Sequence, residues 1–118
     1  MTMKYMLLIY VDEVKGAQVA KEVGAAQMSA PYMAYTEALK KAGVIVGGDR
    51  LQPTTTATTV RVADGKTQVL NGPYAETKEQ LGGYYMIDVP DLDAALAWAA
   101  RCPAAAHGTV EVRPLWAM

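Results

Sequence analysis

The sequence predicts a single α+β domain, and three observations carry that prediction. Met3–Val11 (MKYMLLIYV) is apolar on both faces over a strand's length, the pattern of a strand covered on two sides. Tyr32, Tyr35, Thr36 and Leu39 recur at the spacing of one helix face. Asp64-Gly65 separates two short runs of β-formers and is the best hairpin signal in the chain.

The remaining elements follow in order. After the first strand a helical pattern runs from about Gly16 to Ala42. Ser29 reads as an N-cap and Pro31 as a first-turn residue. The spacing therefore predicts a weak helix over 17–28, a break near Ser29–Pro31 and a strong helix over 30–42, closed by Gly43. Val44 opens a second strand that continues to Leu51, and the Gly47-Gly48 pair inside it predicts a bulge or a close approach to the backbone. Thr58–Ala63 and Thr67–Leu70 form the hairpin, and Tyr84–Val89 is the next strand. Asp91 caps a helix with apolar face Leu92, Ala95, Leu96 and Ala99, which Cys102-Pro103 ends. Thr109–Trp116 is the last strand. Two βαβ-like halves around a hairpin make a ferredoxin-like topology the most economical arrangement.

Composition narrows the function classes. A chain of 118 residues suits one domain, residues 1–118, and 52% hydrophobic content with 19% charged residues excludes disorder. A net charge of −1 without a basic stripe argues against nucleic acid and anionic membranes as partners. The apolar run Met6–Val11 is far shorter than a membrane span and reads as a strand, not a signal peptide. One cysteine, Cys102, forms no internal disulfide, which suits a reducing cytoplasm, and it reads as a buried hydrophobe.

The segment Asn71-Gly72-Pro73-Tyr74 followed by AETKEQLGG (75–83) resembles the YCII-related family, in the branch named for its Asp-Gly-Pro-Phe motif. MKYMLLIY, GVIVGGDRLQP and GTVEVRPL agree with it, so the resemblance spans most of the chain outside roughly 12–30. It implies a ferredoxin-like fold that dimerises through its sheets into an α/β barrel, here with an additional β-hairpin. The family has no established reaction. An acid/base histidine–aspartate pair is suggested for some members, and members of this branch are often encoded beside sigma factors of the extracytoplasmic-function type. Here the motif reads Asn71 and Tyr74 instead of Asp and Phe. Tyr32 stands on the helix where related chains often carry histidine.

Two functions follow as expectations. One is a cofactor-independent small-molecule enzyme with a pocket between sheet and helices. The other is a non-catalytic binding or regulatory module, which the resemblance would associate with a sigma-factor system. For the first, His107, Asp49 and Glu111 are the catalytic candidates. His107 has the right ordinary pKa for a general base, or is simply a loop residue beside a glycine. Arg113, Tyr32, Tyr74, Glu76 and Lys78 are the candidates for binding a small anionic ligand. Val110 and Val112 alternate with Glu111 and Arg113 on the last strand, so the charged pair points away from the helices, as an ion pair or as a fork for a carboxylate. Glu76 and Lys78 rim a pocket or are merely solvated. With one histidine and no metal-ligand spacing, neither a metal nor a cofactor is expected. The doubly apolar first strand predicts a homodimer.

Overall fold

The computed structural model describes residues 1–117. Six strands and three helices follow one another as β1 (Met3–Val11), α1 (Glu13–Val23), α2 (Ala25–Lys41), β2 (Ile45–Arg50), β3 (Thr58–Ala63), β4 (Lys66–Asn71), β5 (Gln80–Val89), α3 (Leu92–Arg101) and β6 (Thr109–Pro114). The fold is α+β. Four strands make one antiparallel sheet in the order β2-β5-β1-β6, while β3 and β4 pair only with each other. Both βαβ units are split. β5 lies between β1 and β2, and β1 lies between β5 and β6.

The helices cover one face of this sheet. Tyr5, Leu7 and Ile9 of β1 and Ile87 and Val89 of β5 point into that layer, where Tyr35, Leu39, Ala95, Ala99 and Cys102 complete a buried core. Val110 and Val112 pack against it from β6. On α3 only the alanines of the expected apolar face are buried. Leu92 and Leu96 remain exposed because small residues let the helix lie close on the sheet while the leucines flank the contact. Among the described residues no charged side chain is buried.

The first helical region departs from expectation. The helix begins at Glu13, with the Asp12 carboxylate accepting from the Lys15 amide at 3.0 Å. It ends at Gly24, whose φ of 87° lies in the left-handed region that glycine adopts without penalty. The break therefore falls at Gly24 and not near Ser29–Pro31. Ser29 is no N-cap, since its hydroxyl donates to the Ala26 carbonyl within α2. Pro31 sits inside α2 on its exposed side, where water can satisfy the carbonyl one turn earlier. α1 buries no residue of its own. It is anchored instead through Glu13, whose carboxylate accepts from the Thr54 amide (2.9 Å) and hydroxyl (2.7 Å). The Glu13 amide in turn donates to Gln80 Oε1 at 3.0 Å.

The hairpin turns at Asp64 (φ 51°) and Gly65 (φ 73°), the positive pair that a two-residue turn requires. It closes at its base through the Gly72 amide donating to Ala57 O at 2.7 Å and reaches out from the body. The Cα radius of gyration is 16.3 Å and the extents are 46 × 45 × 18 Å, against roughly 13–14 Å for a compact domain of this length.

Candidate functional site

Strand register sorts the polar residues onto two sides of the sheet. The pairings Asp49–Tyr84, Tyr84–Leu8 and Leu8–Glu111 form one row straight across the four strands. Gly47–Met86, Met86–Met6 and Met6–Arg113 form the next. Both rows lie on the face turned away from the helices. Their centre is apolar and half-buried (Met6, Leu8, Tyr84, Met86), and their charges sit at the edges.

Glu111 and Arg113 lie on this outer face, as the alternation along β6 implies, and Asp49 joins them there, so none of the three lines the expected pocket between sheet and helices. Asp49 on β2 and Glu111 on β6 stand three strand spacings apart, about 14 Å, so the fold of the chain does not bring them together. Each has a local partner. The Tyr84 hydroxyl donates to Asp49 Oδ2 at 2.6 Å. Arg113 meets Glu111 at 3.3 Å, with side chains 66% and 43% exposed. Such an exposed pair contributes about 0–1 kcal/mol.

The hydrogen bond to Asp49 raises the Tyr84 pKa, with the carboxylate charge adding to the effect. Ionising the phenol would lose the bond and set a phenolate against a carboxylate. Asp49→Asn removes the charge, and the Tyr84 pKa is expected to fall toward the ordinary tyrosine range. NMR titration of ring-labelled tyrosine checks this, and an unchanged titration contradicts the pairing.

On the helix side the bulge in β2 between Ile45 and Gly47 puts Gly48 opposite Tyr85 and Arg50 opposite Gly83. Gly48 is required there. A Cβ would lie 2.8 Å from the Tyr84 carbonyl oxygen and 3.0 Å from the Tyr85 ring. The ring thus lies over the strand and stacks edge-on against Tyr35, with centroids 5.3 Å apart. The Thr36 hydroxyl donates to the Tyr32 carbonyl and lies 2.8 Å from the Tyr85 hydroxyl. A threonine hydroxyl has one proton, so Tyr85 is the donor in the second bond and keeps its lone pairs for another group.

Tyr32 is half-buried beside this chain. Burial raises its pKa, the neighbouring Cys102 and Tyr85 add to the rise, and Arg50 opposes it. Burial likewise pushes Tyr35 well above the tyrosine range, and its hydroxyl donates to Trp98 O at 2.7 Å. These phenols stay neutral at physiological pH and act as donors. Cys102 is buried with its thiol pKa raised by desolvation, which makes it inert.

The other candidates are dispersed. His107 is exposed in the turn before β6. Tyr74 is 78% exposed, with the Arg61 guanidinium 5.7 Å from its ring centroid. Glu76 and Lys78 are exposed on the loop before β5. The tie in that loop is Glu79, whose Oε1 accepts from the Thr109 hydroxyl at 2.8 Å. Sequence reasoning did not single out Arg50, Thr36 or Tyr85 as site residues. The glycine pairs beside Arg50 and Tyr85 were the available signal. Among the described residues no group of three or more His, Cys, Asp and Glu is placed to hold a metal ion, and no helix is long and apolar enough to cross a membrane.

Comparison with known proteins places the chain. The model of the YCII-related domain matches residues 3–118. The chain belongs to the YCII-related family. This YCII-related domain is also 44% identical over 118 residues to an uncharacterized protein of Rhizobium meliloti (strain 1021), covering 96% of this chain and 92% of the relative.

Proposed function

We propose that this YCII-related domain is a non-catalytic binding module that works as a homodimer. It holds a small organic anion between the sheet and α2, at Arg50 and Tyr32, beside Tyr85. The observation that carries this reading is that Arg50 lies on the helix side of the sheet with Tyr85, whose hydroxyl bonds Thr36, and close enough to Tyr32 for its charge to favour the Tyr32 phenolate. A guanidinium forks onto a carboxylate, and a neutral phenol donates to one. A cleft of about 220 Å³ beside Arg50 is lined by Arg50, Leu51, Gln52 and Pro53. The raised Tyr32 pKa suits hydrogen-bond donation and not proton abstraction, which favours binding over acid/base catalysis.

The dimer is of the ferredoxin-like α/β-barrel type, with the open sheet faces together. The two rows on that face are self-complementary. A two-fold axis across the strands between them sets Leu8 over the partner's Met6, Tyr84 over the partner's Met86 and Glu111 over the partner's Arg113. Such an isologous contact has an apolar centre and a charged rim.

Benzoate titration followed by NMR tests the site. Shifts should concentrate on Tyr32, Thr36, Arg50 and Tyr85, and Arg50→Met should weaken binding about tenfold or more with the spectrum otherwise retained. No shifts up to roughly 10 mM benzoate or other small carboxylates would remove the reading.

A further inference from the structure

We propose that the β3–β4 hairpin is an arm whose valine face packs against a second copy of the chain. This rests on the sheet-to-sheet dimer above and adds a second contact to it. Register places Val60, Val62 and Val69 on one face of the hairpin, with Thr58 and Thr67, and places Arg61 and Lys66 on the other. The valines are 62%, 64% and 61% exposed, and every residue of β4 is exposed. A two-stranded hairpin standing alone is marginal in water. A row of bare β-branched side chains therefore needs cover that its own chain does not supply.

Charge and area point to a second copy as that cover. The valine face carries no charge, so it can meet the same face of a symmetry-related copy without repulsion. The opposite face carries two cations and no anion, and cannot. Four strands about 4.8 Å apart and four same-face positions about 6.8 Å apart give the open sheet face roughly 500 Å². A pair then buries about 1,000 Å², short of the roughly 1,200 Å² at which specific interfaces begin. A hairpin six residues long adds roughly 200 Å² a side and brings the pair to about 1,400 Å².

Sedimentation on Val60→Lys/Val69→Lys and on Arg61→Gln/Lys66→Gln tests the arm. The valine variant is expected to raise the dimer dissociation constant about a hundredfold, and the other-face variant by less than about threefold. Equal constants for the valine variant and the parent overturn the proposal. If the valine variant does not fold by circular dichroism, a variant replacing 58–71 with a short Gly-Ser link decides instead. The Ala57–Gly72 bond brings those ends together, and a dimer as tight as the parent's then overturns the arm. Should Leu8→Lys break the dimer while either hairpin variant leaves it tight, the arm fails and the sheet contact stands. A monomeric parent protein overturns both.

Discussion

Leu39→Ala is expected to lower the unfolding free energy by about 2–5 kcal/mol. Leu39 is fully buried, on the face of α2 that lies over the sheet, among Leu7, Ile87 and the α3 alanines. Removing its branched end loses transfer free energy and leaves a cavity, because strands on one side and a helix on the other collapse little. Urea unfolding at one fixed protein concentration measures the loss, since the apparent stability of the proposed dimer would depend on concentration. Met33→Ala on the exposed side of the same helix should change stability by no more than about 0.5 kcal/mol. A loss at Leu39 no larger than at Met33 would mean that α2 does not pack on the sheet as described.

Leu8→Lys is expected to turn the proposed dimer into a monomer, with the dissociation constant rising about a hundredfold or more. Leu8 stands at the centre of the open face, in register with Tyr84 and Glu111, and takes no part in the buried core between sheet and helices. A lysine there leaves the protomer's own packing intact, because its stem lies along the face and its ammonium reaches water. In a face-to-face dimer the same ammonium is desolvated at the apolar centre without a partner. Sedimentation together with circular dichroism separates lost association from lost folding. A folded variant that stays as tightly dimeric as the parent would exclude the open face as the interface.

Local chemistry made several elements legible in the sequence. The Asp91 carboxylate accepts from the Ala94 amide and starts α3 as its position before an apolar run implies. The turn at Asp64-Gly65 needs only two residues able to adopt positive φ. Alternation along β6 correctly separated Val110 and Val112 from Glu111 and Arg113, because that strand pairs with β1 without interruption. The family was legible too, since long motif strings survive in the chain.

The helix break was misread because Pro31 and Gly24 both interrupt a helical pattern, and local propensity does not say which interruption the packing tolerates. Tyr35 and Leu39 hold α2 on the core from one turn beyond Pro31, so the proline stays within the helix on its wet side. The site was lost for a sharper reason. A bulge inserts one residue into a strand, and with a side-chain period of two it exchanges the faces of every residue beyond it. Irregular pairing lies between Ile45 and Gly47 on β2, and between Ile9 and Tyr10 on β1 where it meets β5. The sequence by itself determined the strands, the last helix, the hairpin turn, the family and a first strand too apolar for one covered face. Only the tertiary structure decided that Asp49 turns outward and Arg50 toward the helices, because that choice depends on register between strands far apart in the chain.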